Sequence, residues 1–193
     1  MKKVLLINAH HPYSYSPGRL NATLIERAES YFRAKGYEVE KTVTAEAYDV
    51  DAEVEKIRSA DVVFLQMPLN WMGVPWSFKK YTDEVWGAGL FGKLSNGDGR
   101  SSAAPKDNYG MGGVLNGRYM VSVTANAPSE AFNDPAQAYF AGRGEDDLTL
   151  PIHLNFKWIG LEKMPSFWAY DVMKNPQIES DLARFDEHLA THF

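Results

Sequence analysis

Short blocks of apolar residues that do not alternate with polar ones recur along this chain, separated by amphipathic stretches. Val4 to Ile7 is the first block, and Asp61 to Met67 and Arg118 to Thr124 follow the same rule. A strand reads this way when both its faces are covered, the condition of a parallel strand between two helical layers. The stretches between have a helical period. Leu20, Leu24, Ala28, Tyr31 and Phe32 share one face of a helix that starts near Ser16-Pro17 and stops at Lys35-Gly36. Ala52 to Ser59 predicts a short helix, and Pro75 opens another, at its first position, with Val74, Phe78, Tyr81 and Val85 on one side. Leu148 to Ile159 predicts a fourth, and Asn175-Pro176 caps a last one striped by Ile178, Leu182, Phe185 and Leu189. Tyr37 to Val43 alternates like an edge strand, and Met164 to Tyr170 completes the strands. Five β-α units in series predict a doubly wound α/β domain over 1–193, with five parallel strands in the order 2-1-3-4-5 and helices on both faces. Between Gly87 and Gly117 the pattern lapses into Gly, Ser, Asn, Asp and Pro, a stretch too long for an ordinary connection and read as a functional excursion.

A chain of 193 residues is large enough for one core. Surface scaling gives about 9,200 Å² accessible against about 31,500 Å² unfolded, so roughly 70% is buried. The chain has no cysteine, which excludes disulfides, thiolate metal sites and cysteine nucleophiles. Lys plus Arg total 20 against 25 Asp plus Glu, and the net charge of −5 without basic runs argues against nucleic acid. No apolar stretch approaches the ~20 residues of a bilayer span. The run after Lys2-Lys3 is too short for a signal peptide. A cytoplasmic protein without membrane insertion is expected.

Several familiar motifs fail on context. Gly87-Ala88-Gly89-Leu90-Phe91-Gly92 spells G-x-G-x-x-G but follows a helix rather than a strand, so it reads as a helix stop. With Lys93 it nearly spells a phosphate-binding loop, yet Leu94 stands where the Mg²⁺-binding hydroxyl belongs. The first and third strands end in Asn8-Ala9-His10 and Gln66-Met67-Pro68, which lack the carboxylates of a phosphoacceptor pocket. His188 and His192 have metal-ligand spacing without a third ligand, so no metal is assigned. No G-x-S-x-G nucleophile elbow occurs.

Three loops survive, all at the carboxyl ends of strands, where doubly wound sheets bind ligands. The first, His10 to Asn21, is long and hydroxyl-rich. Ser16 there is either an N-cap followed by Pro17 or part of a phosphate site at the helix N-terminus; the local residues favour the cap. The second, Pro68-Leu69-Asn70-Trp71-Met72-Gly73-Val74-Pro75, places a Trp and a Met beside a Gly, which suits a flat aromatic ligand or a core plug under the loop. No side-chain cap precedes its helix, leaving backbone N–H groups free. The third, Thr124-Ala125-Asn126-Ala127-Pro128, lets backbone pass a ring and bond its rim. Together they suit a ligand the size of a flavin.

With these loops in place the chain resembles the flavodoxin-like NAD(P)H:quinone oxidoreductases, in particular the bacterial modulator-of-drug-activity-B branch, from about Lys3 to Leu189. The words that carry the resemblance are Gln66-Met67-Pro68 with Trp71-Met72-Gly73-Val74-Pro75-Trp76, Lys79-Lys80-Tyr81, Tyr109-Gly110 with Gly112-Gly113, and Asn126-Ala127-Pro128 with Glu130-Ala131-Phe132. It implies a homodimeric flavoprotein that reduces quinones by two hydride transfers in ping-pong order, with NAD(P)H as co-substrate and NADPH favoured. The implied cofactor is FAD rather than FMN, held at its phosphates and ribityl chain by Ser16 to Thr23, including Gly18, Leu20 and Asn21. Pro68, Leu69, Asn70, Trp71 and Met72 would support the ring, and Thr124, Ala125, Asn126 and Ala127 its edge. Tyr109 matches a tyrosine that the family places at the cofactor, from the same or the neighbouring subunit, and the excursion would build a dimer-spanning pocket. Two departures stand out. Ala141 precedes Gly142 where some relatives carry a relay histidine, and Pro17 and Asn70 occupy variable positions. The alternatives are a flavodoxin-like electron carrier and a flavin-bound regulatory protein, neither turning over nicotinamide.

Overall fold

In the computed structural model, which describes residues 1–193, five parallel strand positions form one sheet between two layers of helices. The elements in chain order are β1 (Lys3–Asn8), α1 (Arg19–Ala34), β2 (Glu38–Val43), α2 (Val50–Ser59), β3 (Val62–Pro68) and α3 (Trp76–Gly89). They continue with β4 (Arg118–Thr124), a one-turn helix at Ser129–Ala131, α4 (Glu145–Trp158), β5 (Glu162–Lys163), β6 (Phe167–Ala169) and α5 (Ile178–His192). The order is β2-β1-β3-β4-β5, with β6 also paired to β4. β5 and β6 are therefore two pieces of the expected fifth strand. β4 advances from Tyr119 to Ser122 while its partner advances from Lys163 to Phe167, one residue more, so the strand bulges around Pro165, which has no N–H to give the ladder.

The unbroken apolar runs are explained by two cores. Leu5 and Ile7 of β1, with Val63, Leu65 and Met67 of β3, face the larger core, which also holds Val54 of α2, Phe78 and Tyr81 of α3 and Phe156 of α4. Val4, Leu6, Val62 and Phe64 face the smaller one, with Leu24 and Phe32 of α1 and Phe185 of α5. β2, the alternating segment, forms the edge.

Helix boundaries differ from the periodic reading where backbone geometry intervenes. α1 begins at Arg19 behind a left-handed Gly18 (φ 83°), so Ser16-Pro17 lies outside the helix and Ser16 is not its cap. Pro75 occupies the N-cap of α3 rather than its first turn, and α3 runs past Trp86 to Gly89, where a Cβ would lie 2.4 Å from Leu94 Cγ. α2 starts at Val50 because the Asp49 side chain accepts from Ala52 N at 2.8 Å. α4 starts at Glu145 and continues through Pro151, and α5 follows Gln177 rather than Asn175-Pro176. The excursion is turns tied by short bridges, Phe91 to Asn96 and Ser95 to Gly113, in which a Cβ on Gly112 would sit 2.3 Å from the Gly97 carbonyl. No helix is long and apolar enough to cross a membrane.

Three packed histidines set the acid response of this fold. Thr149 Oγ1 donates its proton to the Glu145 carbonyl (2.7 Å), so it accepts from His153 Nε2–H (3.1 Å), and the buried Tyr119 hydroxyl donates to His153 Nδ1 (3.0 Å). Burial holds His153 below its ordinary value, and burial does the same at His10 and His188. A histidine depressed in the folded state binds its proton more readily when unfolded. Stability is complete above the unfolded value of about 6.5 and declines as pH falls from there through the lowered folded values. Glu29, held down by hydrogen bonds from Lys41 and Arg33, adds a second loss as pH falls below the ordinary carboxylate range. The urea midpoint is expected to fall between pH 7.5 and 5.5, and His153→Gln is expected to flatten that fall. A midpoint constant over this range would contradict the histidine assignment.

Candidate functional site

β1, β3 and β4 end side by side, with Gln66 opposite both Asn8 and Ser122. A cleft of about 1070 Å³ lies across these ends, lined by 20 residues of which 10 are apolar. That is at the upper end of small-ligand pockets.

The wall after β1 is built around His10. Its backbone N–H donates to Asn8 Oδ1 (3.0 Å), and its buried ring donates from Nε2 to the Ser16 carbonyl (3.0 Å). Tyr13 and Ser16 close a tight turn through reciprocal backbone bonds of 3.0 Å. Gly18 then reverses the chain beside the His10 ring, where a Cβ would be 2.2 Å from Cδ2. The result is a helix whose first N–H groups, at Arg19, Leu20 and Asn21, have no side-chain cap and open at the cleft. The Arg19 guanidinium is exposed and has no acidic partner among the ion pairs of the chain.

A buried amide-hydroxyl chain fastens this helix to the strand ends. Gln66 Nε2 donates to Asn21 Oδ1 (2.9 Å), and Asn21 Nδ2 donates to Thr124 Oγ1 (3.2 Å). α1, β3 and β4 thus hold a common position, since shifting any one breaks a buried hydrogen bond.

The loop after β3 contains an unusual turn. Asn70 and Gly73 exchange backbone bonds of 3.0 and 2.9 Å, and the central residues Trp71 (φ 47°) and Met72 (φ 64°) are both left-handed. Such turns favour Asn-Gly, and each ordinary side chain there costs roughly 1–2 kcal/mol. Trp71 is 96% exposed and Met72 40%, so neither plugs the core. The strain holds an indole in the open beside the cleft. Facing it, Trp76, His11, Tyr13 and Tyr15 form a ladder with successive ring centroids 4.7, 5.3 and 5.4 Å apart. α3 also starts without a side-chain cap, and its Lys79, paired with Asp83, lines the same end.

Of the residues expected at the ligand, Ser16, Gly18, Leu20, Asn21, Pro68, Leu69, Asn70, Trp71, Thr124 and Asn126 line one cleft. The others stand behind or beside it. Thr23 Oγ1 donates to the Arg19 carbonyl (3.1 Å), and Met72 shares the strained turn. Ala125 is buried, and Ala125 and Ala127 accept backbone bonds from Val172 and Asp171 (both 3.1 Å). Tyr109 packs edge-on against Trp158 (5.4 Å) with Arg100 over its ring, outside the cleft of its own chain. Ala141, left-handed at φ 52°, is also outside it. His188 Nε2 lies 3.0 Å from the Pro165 carbonyl and His192 packs against its ring. From sequence, Arg19 falls within the Ser16 to Thr23 segment and Ile178 on the apolar stripe of the last helix, whereas Tyr13, Tyr15, Lys79, Val172 and Met173 have no role at the ligand. Tyr13 and Tyr15 lie inside a loop already singled out, and Val172, Met173 and Ile178 follow the split fifth strand, whose loop belongs to the same sheet edge.

The fold and cleft define a doubly wound α/β protein with one large cleft across its strand ends. The chain belongs to the family described as having a flavodoxin-like fold, whose model matches residues 2–192. It is 42% identical to NADPH:quinone oxidoreductase MdaB of Haemophilus influenzae over 191 residues, 98% of each chain. It is 43% identical to an uncharacterized protein of Schizosaccharomyces pombe over 188 residues, 97% of this chain and 95% of the other. Among solved structures, the general stress protein 14 of Treponema denticola in complex with FMN superimposes with a TM-score of 0.68 at 19% identity, covering 99% of both chains. That likeness concerns the fold.

Proposed function

We propose that the protein is a flavin-dependent NAD(P)H:quinone oxidoreductase with FAD as cofactor and NADPH as the favoured reductant. The observation that carries this reading is the cleft, in which an uncapped helix N-terminus and an exposed indole on a strained turn share one space. The near full-length identity to the Haemophilus influenzae enzyme supports the reaction and the choice of NADPH. Hydride transfer from nicotinamide and on to quinone, in ping-pong order, is the chemistry a bound flavin supplies.

The residues of the chain do the rest. N–H groups of Arg19, Leu20 and Asn21, with Ser16, bind phosphate oxygens at the positive end of the α1 dipole, and Gly18 lets the backbone approach. Pro68, Leu69, Asn70 and Trp71 bear the flavin ring and keep water from one side of it. Asn126, exposed at the rim, bonds its polar edge. Thr124 and Asn21 hold these walls in register through Gln66, while Thr23, Met72, Ala125 and Ala127 position backbone without touching the ligand.

The working form in this proposal is a homodimer. Tyr109 is 67% exposed, and Leu150 and Leu154, one turn apart on α4, are 50% and 53% exposed. The accessible area of 10,232 Å² exceeds the about 9,200 Å² of a compact monomer of this mass. Tyr109 then serves the cleft of the second copy.

The purified protein is expected to absorb in the visible as a flavoprotein, to be bleached anaerobically by NADPH and to be reoxidised by menadione. Lack of bleaching would sink the reductase reading. Size-exclusion chromatography is expected to give a dimer that Leu154→Asp converts to monomer; a monomeric wild type would remove the dimer and leave the reaction standing.

A further inference from the structure

The charged residues of the cleft are of one sign. None of the 20 residues that line it is Asp or Glu, although the chain carries 25 of these against 20 Lys plus Arg. The two charged residues in the lining are Arg19 and Lys79. They stand on opposite sides of the sheet edge. Arg19 opens α1, whose Leu20 packs against the smaller core, whereas Lys79 belongs to α3, whose Phe78 and Tyr81 lie in the larger one. Phosphate oxygens at the α1 side leave the Lys79 ammonium as the cation for a second ligand.

Lys79 is set beside aromatic surface. It follows Trp76 by three residues on α3, which puts both on one face of the helix. Trp76 and Trp71, both largely exposed, line the cleft with it. Its own partner holds it loosely. The Asp83 carboxylate lies one turn further along α3, outside the lining, and both side chains of this ion pair are exposed to screening by water.

We propose that Lys79 is a specificity-determining residue for the oxidising substrate, and that the site prefers quinones bearing a negative charge, such as naphthoquinone sulfonates, over neutral quinones of the same ring. The inference rests on the reading that the cleft is that of a flavin-dependent quinone reductase. A fused aromatic ring lies against the exposed indoles, and its anionic substituent reaches the Lys79 ammonium, where a charge-assisted hydrogen bond replaces the exposed contact to Asp83. With no carboxylate in the lining, the anion meets no like charge there. Reduction leaves the substituent untouched. A hydride carries two electrons and one proton to the quinone, a second proton comes from solvent, and the hydroquinone departs with the sulfonate unchanged.

The test follows the quinone half-reaction alone, so that the phosphates of the nicotinamide play no part. Holoenzyme is photoreduced anaerobically and mixed with unsubstituted naphthoquinone or with its sulfonate. The second-order rate constants of flavin reoxidation are expressed as a ratio, sulfonate over neutral, within one preparation. The intrinsic reactivity of each quinone cancels when this ratio is compared between variants, and so does any loss of flavin loading. Lys79→Gln is expected to lower the ratio about fivefold, the scale of an ion pair open to water. Asp83→Asn, which frees the ammonium, is expected to raise it about twofold. Raising the ionic strength from about 10 mM to about 200 mM is expected to bring the wild-type and Lys79→Gln ratios together. An unchanged ratio in Lys79→Gln would overturn the proposal, as would a fall in Asp83→Asn or a gap that salt does not narrow. Reoxidation by neither quinone would sink the reductase reading as well. Equal losses of Lys79→Gln toward both quinones would sink only the charge preference.

Discussion

Gly18→Ala is expected to strip the protein of flavin and to destabilise it by about 3 kcal/mol. Two costs contribute. Gly18 has φ 83°, where a side chain costs roughly 1–2 kcal/mol. Its new Cβ would also lie 2.2 Å from Cδ2 and 2.5 Å from Nε2 of His10, a buried ring that cannot swing away without breaking its bond to Ser16. Overpacking of this kind costs about 1–3 kcal/mol. Relief by moving the backbone displaces the first turn of α1, and the loss of one charge-assisted bond to phosphate alone weakens binding roughly tenfold to a hundredfold. The measurements are the urea midpoint and the affinity for FAD. His10→Ala in the same chain makes room for the Cβ but leaves the dihedral cost. The double variant is therefore expected to be more stable than the sum of the singles predicts, and simple additivity would contradict the contact.

Glu53→Ala carries the largest expected loss of stability that does not involve the cleft. Glu53 is 3% exposed and is surrounded by donors. Thr42 Oγ1 (2.6 Å) and Tyr81 OH (2.8 Å) donate to Oε2, and Lys56 Nζ donates to Oε1 (2.6 Å). Burial, with the neighbouring carboxylate, pushes the Tyr81 phenol far above its ordinary range, so it remains a donor at every accessible pH. The group ties β2, α2 and α3 together. Truncation leaves the buried Thr42 and Tyr81 hydroxyls without their carboxylate acceptor and reduces the Lys56 ammonium to its bonds with the Lys41 carbonyl and Thr42 Oγ1 (both 3.2 Å), at a cost of about 3–5 kcal/mol. Glu53→Gln keeps the shape and one acceptor and is expected to cost about 1–2 kcal/mol. Both variants should reduce quinone normally per flavin-loaded molecule, because none of these residues lines the cleft. A stability change below about 1 kcal/mol in Glu53→Ala would show that the carboxylate is not held as described.

The architecture was legible because it depends on period and burial. Val4 to Ile7 reads as a strand with two covered faces because both faces are covered, by Val54 and Phe78 on one side and Leu24 and Phe185 on the other. The edge position of β2 was visible in its alternation. Most of the site was legible for the same topological reason, since the loops after β1, β3 and β4 must meet wherever strand order reverses. What local reading missed depends on backbone geometry. Ser16-Pro17 has the composition of a helix start, but the left-handed Gly18 moves the first helical residue to Arg19. Trp71 has the composition of a core plug, but the positive dihedrals at Trp71 and Met72 turn it outward.

The layers, the strand order and the loops that border the cleft are written in the sequence, because hydrophobic period and turn chemistry act over a few residues and survive without the rest of the chain. The sequence also determined that electrons cannot reside on a thiol, since there is none. The tertiary structure alone decided that Asn21, Gln66 and Thr124 form one buried chain of hydrogen bonds, that Glu53 gathers donors from three elements, and that Val172, Met173 and Ile178 border the same cleft as Trp71. Each of these joins residues separated by dozens of positions, and no local preference encodes such a meeting. Gln66 and Thr124 face one another because β3 and β4 pair in one register, and Asn21 reaches them only because the reversal at Gly18 aims α1 at the strand ends.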